Sequence, residues 1–174
     1  KGMNTVYAGT CGRLFDAVSS MIGLCDKSTY DGEAAIRLSE LANLDLPVEA
    51  YSYEIQENER QLIFNFSKML LQIVDDLTRE KDVIEISTAF HETIVQALVD
   101  GMNRLHHTFP QYNKKIVLSG GSFHNRYLKQ RLIDCLSVAG FEVFTHQRIP
   151  CNDGGLSYGQ LMVAAAKRKG ITCV

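Results

Sequence analysis

Apolar residues recur at helical spacing through most of the chain. Leu14, Val18, Met21 and Ile22 predict a helix over residues 11–24, with Gly23 as its stop signal. Ala34, Ala35, Leu38, Leu41 and Ala42 predict a second helix. Asp31 stands where an N-cap would start it, and Asn43 and then Pro47 end it. Met69, Leu70, Ile73, Val74 and Leu77 mark an amphipathic helix over 67–81. A helix restarting near Asp82 runs through Phe90, Ile94, Ala97, Leu98, Gly101 and Leu105 and closes at Phe109-Pro110. Residues 126–139 form another, with Gly140 as a typical C′ residue. The last helix, 156–169, is rich in small residues (Gly159, Ala164, Ala165, Ala166) that permit close packing.

Between the helices the period changes. Residues 51–56 alternate, 57–60 are polar, and 61–66 are apolar and aromatic again, which predicts a hairpin. Ile116, Val117 and Leu118 read as a short buried strand, and residues 141–145 as another. The class is α/β, and a mixed sheet of about five strands flanked by helices is expected. No internal repeat, low-complexity segment or linker divides the 174 residues, so a single lobe over 1–174 is expected. Lys1-Gly2-Met3 has no obvious cap, and a fragment of a longer multidomain protein is expected.

Composition narrows the function. Hydrophobic residues make up 45% and charged residues 22%, as in ordinary globular proteins. A net charge of −2 gives no basic field for nucleic acid and no polybasic patch for a membrane. No apolar run approaches the length of a membrane span. Cys11, Cys25, Cys135, Cys151 and Cys173 are odd in number, widely spaced and without a CxxC. They argue against a zinc site or a disulfide framework and for a reducing cytoplasm.

The chemistry concentrates at glycines. Ser119-Gly120-Gly121-Ser122 lies between a strand and a helix, a layout that aims backbone N–H groups at an anion. It is neither GxGxxG nor a Walker A loop. Asn152-Asp153-Gly154-Gly155 precedes the last helix, and Gly32 precedes the second. Three glycine-bearing helix starts in one α/β chain suit a nucleotide-binding lobe. Asp153 reads either as an N-cap or as a hard-oxygen metal ligand. The five histidines offer no HExxH or HxxxH pair. His91 reads as a packed or surface histidine. His124 lies within the glycine turn. Lys167-Arg168-Lys169 complements a helix C-terminus.

Four blocks together resemble one family. They are GRLFDAV at 12–18, YDGEAA at 30–35, SGGSFHN with RYL at 119–128, and PCNDGGLSYGQ at 150–160. In this order they look like the C-terminal part of the Kae1-like domain of HypF, the carbamoyltransferase of [NiFe]-hydrogenase maturation. The resemblance implies the C-terminal lobe of an actin/hexokinase/Hsp70-like ATPase fold. It implies an enzyme whose full-length form makes carbamoyl-adenylate from carbamoyl phosphate and ATP. That enzyme passes the carbamoyl group to the C-terminal cysteine of the acceptor protein HypE.

Carried over by motif, Asp16 is implied to meet the ribose or adenosine. Gly32 and Glu33 form a second nucleotide contact, Gly120, Gly121 and Asn125 the phosphate-facing loop, and Asp153 the metal-binding aspartate. The implied cofactors are ATP and a divalent metal (Mg, Fe or Zn), with carbamoyl phosphate as substrate. The family's other metal ligands form an HxxxH pair in the preceding lobe, and this chain has no such pair. The family commonly has Val and Gln where this chain has Ser122 and His124, so no role is carried to His124. The implied partners are an HypE-like acceptor and the chain's own N-terminal lobe. Weak nucleotide binding without turnover is expected of the 174 residues alone. Two alternatives stand beside this reading. One is a tRNA threonylcarbamoyl transferase of the sister family, against which the RLFD and NDGG spellings argue. The other is a non-catalytic scaffold of the same fold.

Overall fold

The structure is a computed structural model that describes residues 9–58 and 61–170. Helix α1 spans Cys11–Met21 and α2 spans Glu33–Leu41. The hairpin β1 (Glu54–Asn58) and β2 (Gln61–Asn65) leads into α3 (Ser67–Thr78) and α4 (Val83–Thr108). Then follow β3 (Lys115–Leu118), α5 (Arg126–Val138), β4 (Glu142–Thr145) and α6 (Leu156–Arg168). The expectations about Lys1-Gly2-Met3, the hairpin turn at residues 59 and 60 and Cys173 lie outside the described residues.

The core is built around α4, which at 26 residues is about 39 Å long. All ten residues from Ile86 to Val95 are buried, so this segment is surrounded on every side. Phe15 and Val18 of α1, Leu38 of α2, Met69 and Ile73 of α3, and Leu128, Leu132 and Leu136 of α5 pack with Ile86 and Phe90 in one cluster. A helix buried all round must satisfy its polar side chains internally. The hydroxyls of Thr88 and Thr93 donate to the carbonyls of Ile84 and Ala89 and accept from the backbone N–H groups of Asn43 and Tyr51. Ser87 donates to the Leu38 carbonyl at 2.7 Å. These hydroxyls fasten the segment after α2 to the central helix.

The predicted helices are present, and α4 and α5 carry recognisable caps. Asp82 caps α4 through the Ile84 N–H at 2.7 Å. Gly140, at φ 83°, ends α5, with its N–H on Ser137 and that of Phe141 on Leu136, the paired bonds of a Schellman motif. Asp31 does not cap α2. Gly32 holds the N-cap position at φ 79°, with no side-chain cap, because the chain must turn there through a left-handed conformation.

The sheet differs from the expected five strands. Among the described residues, four strands form two separate two-stranded sheets. β1 and β2 pair antiparallel, and Phe64 lies against Gly101 of α4, where an added Cβ would come within 2.7 Å of its ring. β3 and β4 pair parallel, Lys115 opposite Glu142 and Leu118 opposite Thr145, with α5 as the crossover. β1 and β2 are neighbours in sequence, and β3 and β4 are joined by a βαβ connection. Leu118 points into the core, whereas Val117 and Phe144 are exposed. The 116–118 run is thus buried on one face and open on the other. Close packing of α6 was expected from its small residues. Instead its side chains are exposed along its length except at Ala166. No helix among the described residues is long and apolar enough to cross a membrane.

Candidate functional site

The turn between β3 and α5 is shaped by its glycines and pinned at both ends. Gly120 sits at φ 111°, ψ 161°, a region essentially restricted to glycine. Its N–H donates to the Cys151 carbonyl at 2.7 Å. A 3-10 turn follows over Gly121–His124. At its far end Asn125 donates its N–H to the Ser122 carbonyl, and its Oδ1 accepts from the Leu128 N–H at 3.0 Å, capping α5.

The Gly120–Cys151 bond sets the second glycine segment against the first. An added Cβ on Gly121 would lie 3.9 Å from the Cβ of Asn152. Gly155 is required by close approach, since a Cβ there would come within 2.6 Å of the Pro150 carbonyl oxygen. Asn152, not Asp153, caps the short turn Asp153–Gly155, accepting the Gly154 N–H at 3.1 Å. The Asp153 carboxylate is exposed and has no hydrogen-bond or ion-pair partner among the described residues. The cap reading of Asp153 is therefore corrected: Asn152 caps the short turn, and α6 starts after Gly155 without a side-chain cap.

A cavity of about 860 Å³ opens beside the first turn. Gly12 and Phe15 of α1, Ala35, Ile36 and Ser39 of α2, Ile84 of α4, and Gly121, Asn125 and Tyr127 contribute to its walls. Of the residues singled out from sequence, Gly121 and Asn125 line it. Asp16, Gly32, Glu33, Gly120 and Asp153 do not. Asp16 ion-pairs with Arg13 at 2.9 Å. Glu33 is buried, accepts from the Thr29 N–H and hydroxyl, and pairs with Arg37 at 2.6 Å. The Thr29 backbone and hydroxyl, then Arg37, hold its carboxyl below the usual range. Its carboxylate closes the loop before α2.

For a metal, the described residues offer no cluster of three His, Cys, Asp or Glu side chains. Asp153 can give one oxygen ligand, and the rest of a shell must come from other donors. His124 is exposed and lines both the large cavity and a smaller one of about 180 Å³ that Lys129, His146 and Cys151 share.

Sequence reasoning missed the buried polar pair His91-Glu92. Both are on α4, 0% and 5% exposed. His91 donates from Nδ1 to the Ser87 carbonyl at 2.7 Å, and its Nε2 meets the Asn125 amide nitrogen at 2.8 Å. Burial pushes His91 down to about 4, so the ring is neutral. Glu92 accepts from Arg131 and from the Tyr127 hydroxyl. The only sequence signal was two ionisable residues together inside an otherwise uncharged helical run over residues 86–95.

The family profile described as "Carbamoyltransferase, Kae1-like Domain, second subdomain" matches residues 1–160. The chain belongs to the HypF carbamoyltransferase family. It is 33% identical to the carbamoyltransferase HypF of Rhodobacter capsulatus over 168 residues, covering 96% of this chain and 21% of that protein. It is 30% identical to the carbamoyltransferase HypF of Synechocystis sp. over 160 residues, covering 92% of this chain and 20% of the relative. A crystal structure of full-length HypF in the phosphate- and nucleotide-bound form superposes with a TM-score of 0.84 at 40% identity. The match covers 93% of this chain and 21% of that one. The chain therefore spans about a fifth of the length of these HypF relatives. Its fold is Kae1-like, the C-terminal lobe of the actin/hexokinase/Hsp70 class.

Proposed function

We propose that this chain is one wall of the nucleotide cleft of a HypF carbamoyltransferase. The observation that carries this reading is the meeting of Gly121 and Asn125 with α1 and α2 around the 860 Å³ cavity. Three of the four family blocks thereby converge on one concave surface, and the Gly120–Cys151 bond brings the fourth block, with Asp153, alongside. Gly121 approaches the phosphates through the main chain, and Gly120, its N–H held by the Cys151 carbonyl, shapes the turn that presents it. Asp16, Gly32 and Glu33 act from the α1–α2 pair, Glu33 chiefly by holding the 29–33 turn in shape. Asp153 gives one carboxylate oxygen to the divalent metal that accompanies ATP.

In the complete enzyme, water releases phosphate from carbamoyl phosphate, the carbamate attacks ATP to give carbamoyl-adenylate and pyrophosphate, and the C-terminal cysteine thiol of an HypE-like protein takes the carbamoyl group and releases AMP. When bound, the metal supplies charge neutralisation on the phosphates. The chain's own residues bind and orient the nucleotide. The open face of β3–β4 and the exposed α6 receive the rest of the Kae1-like domain. The sister reading, a tRNA threonylcarbamoyl transferase, is less supported, because the matching profile is that of carbamoyltransferases.

Calorimetric titration with ATP and magnesium tests the site. Weak, magnesium-dependent binding is expected for the wild type, with the magnesium dependence lost in Asp153→Ala. Carbamoyl-phosphate-dependent ATP–pyrophosphate exchange by these 174 residues alone would show that the half-site reading is wrong.

A further inference from the structure

We propose that His91 is a positioning residue: its Nε2 accepts the Asn125 amide and so sets the glycine turn over residues 120–125 that faces the large cavity. The inference rests on the nucleotide-site reading for its consequence, but not for its geometry.

The bonds form an ordered chain. The Ser87 carbonyl can only accept, so the Nδ1 of His91 carries the proton and Nε2 is a bare acceptor. The Asn125 amide is oriented independently, because its oxygen accepts the Leu128 N–H. Its nitrogen therefore points at Nε2, 2.8 Å away. The two assignments agree without adjustment. Asn125 is then held through both ends of its amide, and the turn it closes has little freedom. Gly120, bonded to Cys151, pins the other end.

Packing alone does not account for a histidine here. Phe15, Phe90 and Tyr127 surround the ring, with centroids 5.3 to 5.5 Å away. An apolar side chain would fill such a place without the cost of burying an imidazole. What the histidine adds is an acceptor for a residue 34 positions later, on a different element. Glu92, one residue on, holds Tyr127 and Arg131 of the same α5. Consecutive residues of the central helix thus fix the start of α5 and the turn before it.

Two substitutions at His91 separate positioning from bulk. His91→Gln places an acceptor near the Nε2 position, and His91→Asn places polar atoms only near Nδ1. Backbone amide exchange of Gly121–His124 is measured in the ligand-free protein, and ATP–magnesium affinity by calorimetry. Asn is expected to speed exchange in the turn and weaken ATP about tenfold, the scale of one hydrogen bond. Gln is expected to restore most of both. Asn125→Ser, which keeps a cap but drops the amide, should reproduce the faster exchange even if the His91 variants do not fold. Wild-type exchange in His91→Asn or in Asn125→Ser, or equal loss in Gln and Asn, overturns the inference. If wild type binds no ATP, the nucleotide reading fails and the exchange arm still decides the positioning.

Discussion

The Glu92 carboxylate holds the Arg131 guanidinium by two parallel bonds, Nη2 to Oε1 at 2.7 Å and Nε to Oε2 at 3.0 Å. Burial raises the Glu92 carboxyl, but Arg131, with Gln96 and Tyr127, outweighs that and holds it below the usual range. The pair joins α4 to α5 beneath the candidate site. Removing one partner leaves a buried charge, which costs more than the pair is worth. Arg131→Met should lose about 2–3 kcal/mol, at or just below the usual range of about 3–5, because Arg131 is partly exposed. Glu92→Leu combined with Arg131→Met should lose less than Arg131→Met alone. Urea unfolding of the three variants checks the order.

Acid should weaken the fold in two windows. His91 falls from its ordinary 6.5 to about 4 in the folded chain. Between those values the unfolded chain binds the extra proton. Its stabilisation is therefore complete above about pH 6.5 and is lost as pH falls toward 4. From pH 7 to 5 the loss should be about 2 kcal/mol. Glu92, shifted down, adds its loss only below the ordinary carboxylate range, near 4.5. Urea midpoints at pH 7 and pH 5 should differ in wild type and converge in His91→Gln.

Asp153 and its neighbour should part company. Asn152 makes the cap bond to Gly154, and Asp153 makes none. Asn152→Ala should cost up to about 1 kcal/mol. Asp153→Ala should leave the melting temperature where it was and remove the magnesium dependence of ATP binding. A melting shift in Asp153→Ala with unchanged magnesium dependence would return Asp153 to a structural role.

Local signals were legible in the sequence because their causes are local. The spacing of Leu128, Leu132 and Leu136, the cap at Asp82 and the stop at Gly140 each involve residues a few positions apart. The glycine turn was legible for the same reason. His91 was not, because the acceptor it offers is used by Asn125, which no spacing rule connects to it. Glu33 is assigned to a nucleotide contact by motif, and no spacing rule announced the bonds it makes to Thr29 and Arg37. Among the described residues two separate strand pairs stand in place of the expected five-stranded sheet, because strand propensity says nothing about which strands pair. The packing of α6 was misjudged similarly: small residues permit close approach but do not supply the surface approached.

That surface leads to the last prediction. Leu156, Leu161, Met162 and Val163 of α6 are 62%, 65%, 51% and 43% exposed. Val117 and Phe144 add apolar area on the open face of the parallel pair. Exposed apolar side chains in this number drive association in water, whichever partner covers them in the complete enzyme. The 174-residue chain should therefore self-associate at micromolar concentrations. Leu161→Gln with Met162→Gln should shift it toward monomer. Because neither side chain belongs to the core cluster, the thermal midpoint extrapolated to low concentration should hardly move. Sedimentation velocity across a concentration series reads the first effect and thermal unfolding the second. A monodisperse wild type at high concentration would mean that α6 finds cover within the chain itself.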